Sequence, residues 1–118
     1  MLRRLLGTRK EASVPEITPR EALGRVVSGE AVLVDVREES EWETGRIPGS
    51  IHVPLSQIRN RGSRGLPGGK GLVLVCRSGA RSALAAAMLS DDALKAANLS
   101  GGIRAWVREG LPLEDAFG

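Results

Sequence analysis

Cysteine and histidine are almost absent from this sequence: among 118 residues there is one of each, Cys76 and His52. A single cysteine cannot form an intramolecular disulfide, which excludes a disulfide-stabilised scaffold. One cysteine and one histidine also make no recognisable metal site, so we expect neither a metal nor another cofactor. A free thiol is typical of a reducing compartment, and we therefore expect a cytoplasmic protein.

Long apolar runs and nucleotide-binding motifs are also lacking. No run approaches the roughly 20 apolar residues needed to cross a bilayer, and the start, MLRRLLG, has no apolar segment of signal-peptide length. Residues 62–71 contain five glycines and a proline and predict a mobile loop. That loop is not a phosphate-binding loop, because Gly69-Lys70 is followed by Gly71 rather than by Ser or Thr.

Acidic residues are missing from the whole stretch between Glu43 and Asp91. The formal net charge of +3 resides in residues 1–12, so we expect a short basic tail at residues 1–13 and a charge-balanced domain at 14–118, with no binding of nucleic acid. The acid-free stretch carries only cations: Arg46, Arg59, Arg61, Arg64, Lys70, Arg77 and Arg81. These charges predict an electropositive environment for Cys76, unless folding brings the acidic residues of the 35–43 stretch next to them.

Apolar runs and turn residues predict alternating strands and helices. Thr18-Pro19-Arg20-Glu21 has the pattern of a helix N-cap, with proline in the first turn and a capping box. Continuous β-branched runs predict buried strands at 31–36 and 72–75. Weaker patterns predict helices near 38–43, 56–59, 82–89 and 103–109, a short strand at 51–53, and a helix end followed by a short strand within 91–99. This alternation indicates one α/β domain with a mostly parallel sheet.

Cys76 lies between the second buried strand and a helix. Ligands bind at this end of the strands in open α/β sheets. Gly79 allows a left-handed turn in which backbone amides converge, and the helix N-terminus, Arg77 and Arg81 add positive charge. These features predict a thiol with a lowered pKa. The alternative is a buried structural cysteine, which is the more usual fate of a single cysteine.

Five segments of this sequence resemble the rhodanese family in their order and spacing. They are ITP with EA at 17–22, VLVDVRE at 32–38 with EW at 41–42, GRIPGSIHVP at 45–54, VLVCRSGARS at 73–82, and LSGGIRAW at 99–106 with GLPLE at 110–114. The resemblance covers roughly residues 16–115. One departure is Arg46, which occupies the position of a histidine common in the family.

The resemblance implies a rhodanese-like α/β fold, with a central parallel sheet of about five strands and helices on both faces. It implies that the Cys76 thiolate takes sulfur from thiosulfate or a similar small anionic donor. The resulting persulfide would pass that sulfur to cyanide, a thiol or a protein acceptor. The substrate loop would comprise Arg77, Ser78, Gly79, Ala80 and Arg81, with Asp35 and Arg37 in support. We expect a monomer or a weak dimer.

Within this loop, Arg77 is predicted to contact the donor's sulfonate. Arg81 is predicted to brace the loop through Asp35 or a glutamate of residues 38–43. No Cys–His dyad is required, and His52 is expected to be an ordinary residue at a strand end.

Two other functions remain open. One is a non-catalytic rhodanese-like module used for binding or sulfur relay, although inactive modules typically lack the loop cysteine. The other is a cysteine-dependent phosphatase or arsenate reductase, since such enzymes share the fold. Their loops have five residues between cysteine and arginine, whereas four separate Cys76 from Arg81. The shorter loop suits a single sulfur atom better than a phosphate.

Overall fold

The structure is a computed structural model that describes residues 14–90 and 95–115. The basic tail predicted at residues 1–13 lies outside the described residues, as do positions 91–94 of the ambiguous helix-to-strand segment and the last three residues. No helix within the described ranges is both long and apolar enough to cross a membrane.

Five parallel strands form the central sheet, in the order β1-β6-β5-β2-β4. Their bounds are β1 Glu16–Ile17, β2 Ala31–Asp35, β4 Ile51–His52, β5 Gly71–Val75 and β6 Ala96–Leu99. Strands β2 and β5 pair along their whole length, from Ala31 with Gly71 to Asp35 with Val75. The β-branched runs therefore occupy the centre of the sheet, where both faces are covered, as the sequence predicts.

Helices cover both faces of this sheet. The helices are α1 Pro19–Val27, α2 Glu39–Thr44, α3 Leu55–Arg61, α4 Ala80–Leu89 and α5 Gly102–Arg108. Because successive side chains of a strand point to opposite faces, two cores form. In one core, Leu33 and Val73 pack with Trp106 of α5. In the other, Val34 and Leu74 pack with Leu89 of α4. The predicted α/β architecture is confirmed.

The start of α1 follows the predicted capping pattern. The Thr18 hydroxyl accepts a hydrogen bond from the Glu21 amide at 3.2 Å, and the Glu21 carboxylate accepts one from the Thr18 amide at 3.0 Å. This reciprocal pair satisfies two amides that the first helical turn leaves without a partner. The end of α4 at Leu89 agrees with the prediction, and the other ends of α2 to α5 differ from the predicted ones by one or two residues.

Several features differ from the sequence predictions. Strand β1 was not predicted, and neither was the antiparallel pair of β3, Gly45–Arg46, with β7, Glu114–Asp115. Each of these strands has two residues, which is too short to show an alternating pattern. Gly71 begins β5 instead of ending the glycine-rich loop. Helix α4 begins at Ala80 rather than near Ser82, so Ala80 and Arg81 belong to its first turn and not to the loop.

Candidate active site

Cys76 follows the last residue of β5 and begins the tight connection to α4. Its side chain is fully buried and belongs to the core on the α3 and α4 face of the sheet. Gly79 is the N-cap of α4 and has φ of 108°, a left-handed conformation that favours glycine. The loop from Cys76 to Gly79 therefore turns sharply over the carboxyl end of the sheet, where α/β proteins bind their ligands.

The Cys76 sulfur receives several hydrogen bonds from this turn. The Gly79 amide lies 3.1 Å from Sγ, and the Ser82 amide lies 3.4 Å from it. The Ser82 hydroxyl oxygen is 3.3 Å from the same sulfur. The sequence predicts converging amides at the Gly79 turn, but Ser82 is not among the predicted loop residues 77–81. A hydroxyl in the first turn of the helix, six residues after the cysteine, was the available signal.

These groups set the acidity of the thiol. Burial raises the pKa of Cys76, because the apolar surroundings disfavour its charged form. Hydrogen bonds from the amides of Ser82, Gly79 and Ser78 oppose this effect, as does one from the Ser82 hydroxyl when its proton faces the sulfur, and the pKa of the thiol is lowered overall. The lowered pKa agrees with the sequence prediction. Its main cause is hydrogen bonding rather than the two arginine charges.

The N-terminus of α5 holds the loop from the other side. The amide of Ile103 donates to the Cys76 carbonyl at 2.9 Å, and the amide of Arg104 donates to the Arg77 carbonyl at 3.1 Å. Gly102 lies so close that a β-carbon there would collide with both carbonyl oxygens. The GG of the sequence LSGGIRAW thus has a physical explanation, since only glycine permits this approach.

Arg81 is paired with Glu41 of α2. Its two terminal nitrogens donate to the two carboxylate oxygens at 2.7 and 2.9 Å. The hydrogen bonds from Arg81 are the main cause that lowers the pKa of Glu41, to about 2. Of the two kinds of partner expected for Arg81, the structure selects the glutamate and not Asp35. This pair ties the start of α4 to the acidic helix.

Asp35 instead pairs with Arg37, two residues further along the chain. The Arg37 Nη2 donates to an Asp35 carboxylate oxygen at 2.8 Å and to the Gly45 carbonyl at 2.6 Å. Both side chains are buried, with exposed fractions of 1% for Asp35 and 6% for Arg37 as whole residues. This guanidinium therefore connects the end of β2 to β3.

Arg77 has an exposed position at the side of the loop. Its guanidinium has no hydrogen-bond or ion-pair partner within residues 14–90 and 95–115. It lines an open cavity of about 480 Å³ between the loop and α5, together with Arg104 and Arg108. The positive charge beside the loop thus comes partly from α5, outside the acid-free stretch of the sequence.

Among the described residues, no hydrogen bond or ring contact joins His52 to the cysteine loop. The His52 ring stacks on Trp42 with ring centres 4.7 Å apart, and its Nε2–H donates to the Arg37 carbonyl at 2.8 Å. Arg46 also packs on Trp42, with its guanidinium carbon 4.8 Å from the indole centre. No cluster of three or more metal-ligating side chains occurs among the described residues.

Comparisons with known proteins agree with this geometry. A family model described as a rhodanese-like domain matches residues 18–109. A sulfurtransferase from Allochromatium vinosum is 41% identical over 85 residues, which cover 71% of this chain and 78% of that protein. Several other curated relatives are longer, and the matched region spans between 25% and 52% of their length.

Two solved structures show the same fold. A rhodanese-related protein from Thermoplasma volcanium superposes with a TM-score of 0.77 at 31% identity, covering 85% of this chain and 97% of that one. A thiosulfate sulfurtransferase from Pseudomonas aeruginosa gives a TM-score of 0.76 at 25% identity, covering 87% of this chain and 20% of that one. The chain therefore belongs to the rhodanese-like sulfurtransferase family.

Proposed function

We propose that this protein moves a sulfane sulfur from thiosulfate, or a similar small anionic donor, to cyanide or a thiol acceptor through a persulfide on Cys76. In the first step the Cys76 thiolate attacks the outer sulfur of thiosulfate. A new S–S bond forms, and the bond to the sulfonate breaks, so that sulfite leaves with the electron pair. In the second step the acceptor attacks the outer sulfur of the persulfide, and the thiolate of Cys76 is released again.

One observation carries this proposal: the sulfur of Cys76 lies at a helix N-terminus and faces backbone amides. Donors arranged in this way stabilise negative charge on sulfur, which the thiolate bears before the attack and regains after the transfer. The hydrogen bonds that lower the pKa of Cys76 favour its thiolate, so the proposal does not require a Cys–His dyad.

The substrate roles of the remaining loop residues follow from their surroundings. The Arg77 guanidinium, which has no partner among the described residues, lies beside the loop and can bind the sulfonate of the donor. Arg81 is bound by Glu41 and would hold the loop in place, while Ser78 and Gly79 supply the loop backbone and Ala80 begins the helix that follows it. Asp35 and Arg37 would support the loop from below by fixing the end of β2.

The acceptor is expected to be a small thiol or a partner protein, and the protein itself a monomer or a weak dimer. Because the reacting thiol must stay reduced between turnovers, a reducing compartment such as the cytoplasm suits this chemistry.

Intact mass measured after incubation with thiosulfate tests the proposal directly. The native protein should gain one sulfur, cyanide or a thiol should remove it, and Cys76→Ser should gain none. Because Cys76 is fully buried, alkylation by iodoacetamide is the matched control for access to the thiol. If iodoacetamide alkylates Cys76 but thiosulfate adds no sulfur to it, the proposed donor is contradicted. The non-catalytic binding module would then be favoured. Hydrolysis of an aryl phosphate would favour the phosphatase.

A further inference from the structure

A continuous line of polar groups runs from the Cys76 sulfur to the protein surface. The Ser82 hydroxyl, 3.3 Å from Sγ, is also 2.6 Å from Oδ1 of Asn98 on β6. The Asn98 amide nitrogen in turn lies 3.0 and 3.2 Å from the two carboxylate oxygens of Glu16 on β1. Ser82 and Asn98 are buried, whereas Glu16 is exposed.

The Glu16 carboxylate, at the outer end of this line, determines which group donates in each hydrogen bond. A carboxylate only accepts, so Asn98 must turn its NH₂ group to Glu16 and its oxygen to Ser82. That oxygen also only accepts, so the Ser82 hydroxyl must donate its single proton to Asn98. The sulfur of Cys76 consequently faces a lone pair of the Ser82 oxygen.

This arrangement suits a neutral thiol better than a thiolate. A thiol can donate its S–H to the Ser82 oxygen. The hydroxyl stabilises a thiolate only if its proton turns towards the sulfur, and that leaves the buried Asn98 oxygen without a donor. A buried acceptor without a partner is unfavourable, so the sulfur and Asn98 compete for one proton.

We propose that Glu16 and Asn98 are positioning residues, which hold the Ser82 proton away from the Cys76 sulfur and so restrain formation of the thiolate. This inference rests on the proposed function only in taking Cys76 as the reacting group. The amides of Gly79 and Ser82 still face the sulfur when the hydroxyl does not, so the restraint moderates the thiol's acidity without abolishing it.

Other charged groups around Cys76 act separately from this line. They are Arg77 in the loop, Arg81 with Glu41 from α4 and α2, the Asp35–Arg37 pair at the end of β2, and Arg104 from α5. Among the described residues, Asn98 and Cys76 are the only groups hydrogen-bonded to the Ser82 hydroxyl. A change at Glu16 can thus reach the hydroxyl only through Asn98.

The rate of iodoacetamide alkylation, measured below the thiol pKa and without a sulfur donor, tests the inference. In Glu16→Gln, the new amide can offer either a donor or an acceptor, so Asn98 is free to turn its NH₂ to Ser82 and release the hydroxyl proton to the sulfur. Because one hydrogen bond is at stake, alkylation should become about threefold to tenfold faster.

Loss of a negative charge could by itself favour a thiolate, and a double-mutant cycle separates the two causes. The Glu16→Gln effect should disappear in a Ser82→Ala background, which keeps the amide of residue 82 but removes the hydroxyl. Glu39→Gln removes a carboxylate from an exposed position of α2 and should leave the rate unchanged. Melting temperatures of all variants verify that each is folded.

An equal acceleration in the presence and absence of the Ser82 hydroxyl would overturn the inference, and so would a Glu16→Gln rate that is unchanged or slower. Because no sulfur donor is used, these outcomes are independent of whether thiosulfate loads Cys76.

Discussion

Arg77 and Arg81 lie four residues apart, yet their guanidinium groups have different surroundings. Within the described part of the chain no group pairs with Arg77, which lines the cavity beside the loop, whereas Arg81 binds Glu41. We therefore predict that Arg77→Ala raises the KM for thiosulfate about tenfold, the equivalent of one hydrogen bond to a charged group. Arg81→Ala should raise KM less and lower the melting temperature by about 3–5 °C, since it breaks a partly exposed ion pair.

Steady-state kinetics and thermal unfolding of both variants measure this division of roles. Arg59→Ala is the matched control, because Arg59 is an exposed arginine of α3 that lines no part of the cavity beside the loop. It should change neither quantity. Equal effects of the Arg77 and Arg81 substitutions on both KM and melting temperature would show that the two side chains do not act separately.

The Glu41 carboxylate predicts a specific dependence of stability on pH. Its pKa is lowered from 4.5 to about 2 by the Arg81 guanidinium. A group whose pKa is lowered by folding stabilises the protein above its unfolded-state pKa, and this contribution is lost as the pH falls towards the folded-state pKa. The stabilisation from Glu41 should therefore be complete above about pH 5 and disappear between about pH 4.5 and pH 2.

Urea unfolding at pH 7 and at pH 3 tests this prediction. At pH 7, Glu41→Gln should be less stable than the wild type by up to about 1 kcal/mol, and at pH 3 the difference should be smaller. Glu39→Gln, in the same helix but without an ion pair within the described part of the chain, should show no such dependence. A Glu41→Gln difference that is the same at both pH values would contradict the assigned cause.

At the scale of elements, the N-terminus of α5 determines the shape of the cysteine loop. Gly102 has φ of 64° and approaches the carbonyls of Cys76 and Arg77 without room for a β-carbon. Gly102→Ala must therefore both adopt a strained backbone, at about 1–3 kcal/mol, and push the loop away. We predict a loss of stability accompanied by a changed rate of Cys76 alkylation.

Gly110, just beyond the other end of α5, provides the comparison. It has φ of 76°, but nothing lies within 4 Å of the position of its β-carbon. Gly110→Ala should thus lose stability through strain alone and keep the alkylation rate of the wild type. If both substitutions leave alkylation unchanged after correction for unfolded protein, the contact of α5 with the loop has no effect on the thiol.

The elements that could be predicted from sequence are those with a recognisable hydrophobic or capping pattern of several residues. The buried runs at β2 and β5 and the capping box of α1 were predictable, because each has a local cause within a few residues. The side chains that are hydrogen-bonded around Cys76 could not be predicted in this way. Ser82, Asn98 and Glu16 meet only after β6 has been placed between β1 and β5, and nothing in their spacing along the chain indicates this. Similarly, local sequence left Asp35 and the nearby glutamates as equal candidates for Arg81.

At the scale of the whole molecule, folding divides the cations of the acid-free stretch. Arg61 and Arg64 line a separate cavity near the glycine-rich segment, and Arg81 is paired with Glu41. Arg77 is the member of that stretch that joins Arg104 and Arg108 beside the cysteine loop. The site should therefore bind anions through a local cluster, rather than through a positive field extending over the surface.

Local binding and long-range screening predict different responses to salt. At matched ionic strength, sulfate and chloride screen distant charges equally, whereas only sulfate resembles the sulfonate end of thiosulfate. We predict that sulfate raises the apparent KM for thiosulfate more than chloride does. In Arg77→Ala the two salts should have similar effects, because the local contact is gone. Equal effects of both salts on the wild type would instead indicate that the donor is attracted by the overall field and is not held by Arg77.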